Sequence, residues 1–150
     1  MKVVIQRVSR ASVSVEHQII SSIQQGLLVL LGIEHEDSPE DIDWLTQKVS
    51  HMRIFHDADG VMNESVSSIA GDVIVVSQFT LHARTKKGNR PSYIQAARPE
   101  QAIPLYEKFV KTLQEKIPGS VYTGKFGHHM NIDMCNDGPV TIIIDSKNRI

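Results

Sequence analysis

A single cysteine, Cys135, stands among 150 residues. One thiol cannot close an internal disulfide, and neither a CxxC pair nor a Cys/His array with zinc spacing accompanies it. The chain therefore reads as a product of a reducing compartment, with Cys135 as a small strand residue. No apolar run approaches the roughly 20 residues that cross a bilayer, and the start, Met1-Lys2-Val3-Val4-Ile5, lacks signal-peptide architecture. A cytoplasmic protein without membrane attachment is expected. Charge of either sign is not in excess: the net value is −1, which argues against a general nucleic-acid coat protein. Repeats and low-complexity tracts are also lacking. The length and a 41% hydrophobic content suit one domain over 1–150 with a real core.

What the chain does have is a segregation of charge. No acid falls between Asp72 and Glu100, where Arg84, Lys86, Lys87, Arg90 and Arg98 all lie, whereas Glu34–Asp43 carries six acids and no lysine or arginine. A local basic loop on a near-neutral protein suits a partner that is anionic in one place, such as the end of an RNA. Arg84–Pro99 lacks periodicity and is long for a plain connection, which points to a functional loop.

Residues 2–8 and 11–16 read as two strands, the second alternating Val13 and Val15 with polar residues. Gly26–Ile33 is almost wholly aliphatic and predicts a strand buried on both faces. Ser38-Pro39-Glu40-Asp41 supplies an N-cap, a proline at the first helical position and acids in the first turn, with Ile42, Leu45, Val49 and Met52 forming the inward face of the helix that follows. Asp57-Ala58-Asp59-Gly60 predicts a turn between short strands, and Gly71–Phe79 another buried strand. A second helix reaches Ile117 with Leu105, Tyr106, Phe109, Val110 and Leu113 inward, its regular part expected from Pro104. Two final strands follow, with a Gly-Pro step between them. Strands outnumber helices, and the helices stand too far apart for repeated βαβ units, so the class is α+β.

Two strand-end motifs carry the chemistry. Ser77-Gln78-Phe79-Thr80 closes the apolar run Val73–Val76 and can present hydroxyls and backbone N–H groups to a ligand. Asn136-Asp137-Gly138-Pro139-Val140-Thr141 opens the run Ile142–Ile144 and joins the most permissive φ to the most restricted one, at a bond that is a candidate for cis geometry. Ester or acyl chemistry would need a nucleophile, a base and oxyanion donors. Thr80 and Ser77 are the available hydroxyls, but neither sits in a nucleophile elbow and no His–Asp pair lies beside them. The residues alone leave Thr80 open between nucleophile, substrate contact and cap. His129, Asp133 and Cys135 would share a face of an extended strand, a set short of zinc ligation, so no metal and no cofactor is expected.

With Gly88-Asn89-Arg90-Pro91-Ser92 between them, these motifs resemble the D-aminoacyl-tRNA deacylase family in order and spacing. The likeness runs from Val4–Val13 through Gly26–Gly32, Arg53-Ile54-Phe55, Val75–Leu81 and Lys87–Ser92 to the Gly-Pro segment. The resemblance implies a homodimeric layered sandwich of mostly antiparallel and mixed sheets with two main helices. It also implies hydrolysis of the ester between a D-amino acid, or glycine, and the terminal ribose of a tRNA. On this resemblance Ser77, Gln78, Phe79 and Thr80 form the catalytic stretch, with attack by water assisted by the 2′-hydroxyl of the tRNA. Gly138 and Pro139, in cis and inserted from the other subunit, select chirality, and Arg7, placed at the end of the first strand, steadies their loop through backbone carbonyls. Lys86, Lys87, Arg90 and Phe126 contact the tRNA, Phe79 and Phe126 being suited to stack on the terminal adenine or line its pocket. Leu81-His82-Ala83-Arg84 and His128-His129 depart from the family pattern. Two other functions fit the residues: a Thr80-dependent acyl hydrolase and a non-catalytic RNA-binding dimer using Arg84–Arg98.

Overall fold

The computed structural model describes residues 1–150. The chain runs β1 (Lys2–Val15), β2 (Gln18–Ile23), β3 (Gly26–Gly32), α1 (Pro39–His51), β4 (Arg53–His56), β5 (Met62–Ser65), β6 (Asp72–Ser77), a single 3-10 turn (Phe79–His82), α2 (Pro99–Lys116), β7 (Val121–Thr123) and β8 (Asn131–Asp145). The main sheet is mixed: β3 pairs parallel with β6 and β6 with β7, while β1 pairs antiparallel with β2, β3 and β8. Since β8 follows one edge of β1 from Lys2 to Ser14, β3 and β2 share the other edge in succession. The α+β class and the doubly buried third strand agree with expectation.

Two cores result. Leu27, Val29, Leu31, Val73 and Val75 pack with Ile42, Leu45 and Val49 of α1 and with Tyr106, Phe109 and Leu113 of α2. Leu28, Ile74 and Val76, on the opposite face, pack with Val8, Ala11, Val13 and Ile23. The alternation of a strand sends successive side chains to opposite faces, so β3 and β6 need a cover on each side. The far half of β1 supplies the second cover.

Several boundaries differ from the sequence expectation. Residues 2–8 and 11–16 belong to one long strand, because Ser9 and Arg10 form an exposed irregularity that bends β1 without ending it. Strand β2 carries no turn signal: its hairpin turns at Glu16 and His17, both at positive φ although neither is glycine or asparagine. Strand β6 stops at Ser77, and Phe79 and Thr80 enter the 3-10 turn. Helix α2 starts at Pro99, where proline at the first position loses nothing, and runs through Pro104 on its exposed side. Gly138-Pro139 lies inside β8, not between the last two strands. Arg7 is mid-strand and only 3% exposed, not at a strand end. His129 precedes β8, so it does not share a strand face with Asp133 and Cys135.

Part of the acidic segment is neutralised internally. The Asp41 carboxylate accepts the Ser38 N–H (2.8 Å) and hydroxyl (3.1 Å) at the start of α1 and pairs with Lys147 at 2.9 Å. Burial pushes this carboxyl up, but the Lys147 ammonium and the Ser38 N–H outweigh it and hold Asp41 well below the ordinary carboxylate range. Because the folded carboxyl ionises at lower pH than the unfolded one, its contribution is complete above about 3.9 and is lost as pH falls. Asp41→Asn should therefore lower the denaturation midpoint at pH 7, by an amount that shrinks as pH drops from about 5 to 2; urea unfolding of both proteins across that range checks it.

Candidate active site

The candidate site grows from the end of β6. Beyond Ser77 the Gln78 N–H still donates to the Leu31 carbonyl at 2.8 Å, after which the chain tightens into the 3-10 turn, closed by Leu81 N–H to Gln78 O (3.2 Å) and Ala83 N–H to Thr80 O (3.0 Å). The opening N–H groups of a helical turn have no acceptor inside it, so those of Phe79 and Thr80 are suited to hold a carbonyl or oxyanion. Tyr106 secures the strand from below: its hydroxyl donates to the Val75 carbonyl at 2.6 Å, and burial raises its pKa, so it stays protonated.

Val76, Ser77, Gln78 and Phe79 form one wall of a cavity of about 340 Å³ whose other wall runs from Gly127 to Met130 and Ile132. A smaller void of about 70 Å³ adjoins it, sharing Ser77, Gln78, Phe79 and Gly127 and adding Phe126. The larger volume lies at the lower end of the range for small-ligand sites. Phe79 is 56% exposed and meets Tyr93 edge-on with ring centroids 5.0 Å apart, while Phe126 meets Tyr106 in the same manner at 5.7 Å. Sequence reasoning gives Tyr93 no role, although an aromatic directly after Arg90-Pro91-Ser92 in an irregular loop is a signal. His128 and His129, also without a role in the sequence, line the cavity.

Thr80 has no general base. Its Oγ1 is 2.5 Å from Gln78 Nε2, and an amide cannot take up a proton. His82, two residues on, is buried, with Nδ1 3.9 Å from Glu34 Oε2 and Nε2 without a partner. Glu34, Asp37 and His82 bring ligand atoms within 4.8 Å of one another, a grouping the sequence hides across the fold. The Met1 ammonium already occupies it, hydrogen-bonded to Asp37 and 3.4 Å from Glu34.

The basic residues lie apart from the cavity. Arg84, Lys86 and Lys87 line an open concavity of about 600 Å³ with Thr85 and Ser92, and exposed Arg90 follows in the same loop, whose base is an Arg84–Ser92 bridge.

The Gly138–Pro139 bond is cis. Gly138 has φ +127°, and a Cβ there would stand 2.9 Å from Val140 Cγ2 and 3.0 Å from Arg7 Nη2, so only glycine fits. Buried Arg7 donates from Nε to the Asp137 carbonyl (3.1 Å) and from Nη1 to the Ile54 carbonyl (2.6 Å). Within one chain this segment is far from Ser77. Arg7 is level with Leu27 and Val73, whereas Ser77 is level with Leu31. Four residues along the strands and three strand intervals across them separate the two, about 13 Å and about 14 Å respectively along the sheet.

Comparison with known proteins agrees with the motifs. A family model described as D-Tyr-tRNA(Tyr) deacylase matches residues 4–145. A D-aminoacyl-tRNA deacylase of Flavobacterium johnsoniae is 62% identical over 149 residues, and one of Bacteroides fragilis is 57% identical over the same length, each match covering 99% of both chains. Among solved structures, a c-Myc DNA unwinding element binding protein superposes with a TM-score of 0.92 at 40% identity, covering 97% of this chain and 98% of that one. A probable eukaryotic D-amino acid tRNA deacylase shares the fold, with a TM-score of 0.78 at 17% identity and coverage of 95% and 97%. Motifs, fold and whole-length identity converge: the chain belongs to the D-aminoacyl-tRNA deacylase family.

Proposed function

We propose that this protein hydrolyses the ester joining a D-amino acid to the terminal ribose of a tRNA, and accepts glycine, including glycine mischarged on tRNA-Ala. Family membership supports the reaction class. The observation that carries the mechanism is a ligand-sized cavity beside the Ser77–Phe79 strand end, where the neighbouring Thr80 hydroxyl meets the Gln78 amide and no base. Water attacks the ester carbonyl, the carbonyl carbon to 3′-oxygen bond breaks, and the proton from water ends on the 3′-oxygen, leaving free amino acid and tRNA. The 2′-hydroxyl of the terminal ribose assists the attack, while the Phe79 and Thr80 N–H groups hold the carbonyl. Positioning alone lowers such a barrier by several kcal/mol.

Chirality is selected by backbone. Gly138-Pro139, supplied from a partner subunit, stands against Cα of the amino acid, admits hydrogen there and clashes with an L side chain. The separation of this segment from Ser77 within one chain supports a site completed by dimerisation. Phe79 and Phe126 take the terminal adenine, and Lys86, Lys87 and Arg90 hold phosphates of the acceptor end.

Thr80→Ala is expected to retain measurable deacylation, while replacing the terminal 2′-hydroxyl of the tRNA by hydrogen abolishes it. A trapped acyl-threonine in rapid-quench experiments would instead establish covalent catalysis. Changing Lys86, Lys87 and Arg90 together to alanine should weaken tRNA binding and flatten the plot of log K against log salt by about 1 for each phosphate no longer neutralised. Filter binding at several salt concentrations measures this. Since the gate is backbone, D-Tyr-tRNA, D-Asp-tRNA and glycyl-tRNA should all be cleaved and both L-forms spared, whereas a side-chain sieve would discriminate unevenly. Comparable turnover of L- and D-Tyr-tRNA would remove the editing function.

A further inference from the structure

The β1–β8 ladder shifts register twice, between Val8 and Arg10 and, by more residues, between Gln6 and Val8. Gln6 lies opposite Thr141 and Val8 opposite Asn136, so Arg7 alone faces the residues Asp137–Val140. A bulge of this size leaves several residues without ladder partners, and each unpaired residue retains backbone freedom that a chiral gate cannot tolerate. Arg7 anchors the bulge from the buried face through the Asp137 carbonyl. Adjacent strand residues point to opposite faces, so Gln6 approaches it from the other side.

Gln6 ties both flanks of the bulge together. Its Oε1 accepts from Asn136 Nδ2 and from Thr141 Oγ1, each at 2.5 Å, joining the residue before Asp137 to the residue after Val140. Asn136 Oδ1 in turn accepts the Val140 N–H at 3.2 Å and spans the bulge from within. One acceptor thus serves two donors, which are also joined to each other by a 3.2 Å hydrogen bond from Asn136 Nδ2 to Thr141 Oγ1. Gln6 and Asn136 are half-buried and Thr141 is exposed, so water can satisfy these groups when the network is cut.

We infer that Gln6, Asn136 and Thr141 form a clasp that sets the position of Gly138-Pro139, making them positioning residues for chiral selection. The inference rests on the gate reading above. Loosening the clasp lets the gate retreat, and the L-substrate gains more than the D-substrate loses.

The test is single-turnover deacylation of D- and L-Tyr-tRNA by wild type, Gln6→Met, Gln6→Glu, Thr141→Val and Pro139→Ala. Gln6→Met removes the shared acceptor at nearly constant volume and should lower the D-over-L ratio about tenfold, as expected when the two hydrogen bonds it accepts are lost at a half-exposed site. Gln6→Glu keeps an acceptor oxygen and should restore most of the ratio. Hydrogen exchange at the Val140 amide should quicken in Gln6→Met, a change that a role in overall stability alone would spread over the whole sheet. Should Gln6→Met fail to fold, Thr141→Val, a strand-compatible change at an exposed position, must itself lower the ratio. If Pro139→Ala lowers the ratio while neither clasp variant does, the clasp is wrong and the gate stands. If Pro139→Ala leaves the ratio unchanged, the gate fails and the clasp with it.

Discussion

The structure depends on covering both faces of β3 and β6. Leu28, Ile74 and Val76 point away from the helices and are still fully buried, and the cover comes from the far half of β1. To reach that position β1 must bend, and it does so at Ser9 and Arg10, where the inward positions shift from Val3 and Ile5 to Ala11 and Val13. Since β8 follows β1 along its length, it meets the same corner opposite Asn136 and Cys135, and the Asp137–Val140 bulge lies next to it, opposite Arg7. The bend that completes the second core thus stands beside the bulge that carries Gly138-Pro139.

The Ser77–Thr80 side of the site is held in place for a related reason. Strand β6 is held from below by Tyr106 and from the side by β3, so the turn that follows starts from a fixed point. Groups fixed in this way need little reorganisation when charge develops on a bound carbonyl, which is the property electrostatic catalysis uses. The Thr80 hydroxyl, with only the Gln78 amide as neighbour, gains no base from it.

Charge is arranged to the same end. Asp37 is hydrogen-bonded to the Met1 ammonium and Asp41 to Lys147, so part of the acidic segment before α1 is neutralised inside the fold. The basic loop has no such partners among its lysines, and its concavity opens outward. Tyr93, which follows Ser92 of that loop, meets Phe79 of the cavity wall edge-on, so aromatic surface joins the basic loop to the cavity.

Local pattern was enough for much of this. The aliphatic run of β3, the Ser38-Pro39 start and inward face of α1, the Asp57–Gly60 turn and the aperiodic basic loop are all written in spacing that neighbouring residues read alone. The motifs at Ser77–Thr80 and Asn136–Thr141 stood out because their residue types suit special backbone. What spacing could not show is that β1 is one strand: a bend compatible with continued pairing looks like a loop until β8 is laid beside it. Nor could it show the Glu16-His17 hairpin, whose positive φ values are imposed by the strands on either side. Tertiary structure alone decided that Arg7 is buried against Asp137 and Ile54, that Gln6 meets Asn136 and Thr141, and that Gly138-Pro139 and Ser77 sit at different levels of one sheet. Those relations join residues far apart along the chain, and their register follows from which faces must be buried, a property of the whole sheet that no segment carries by itself.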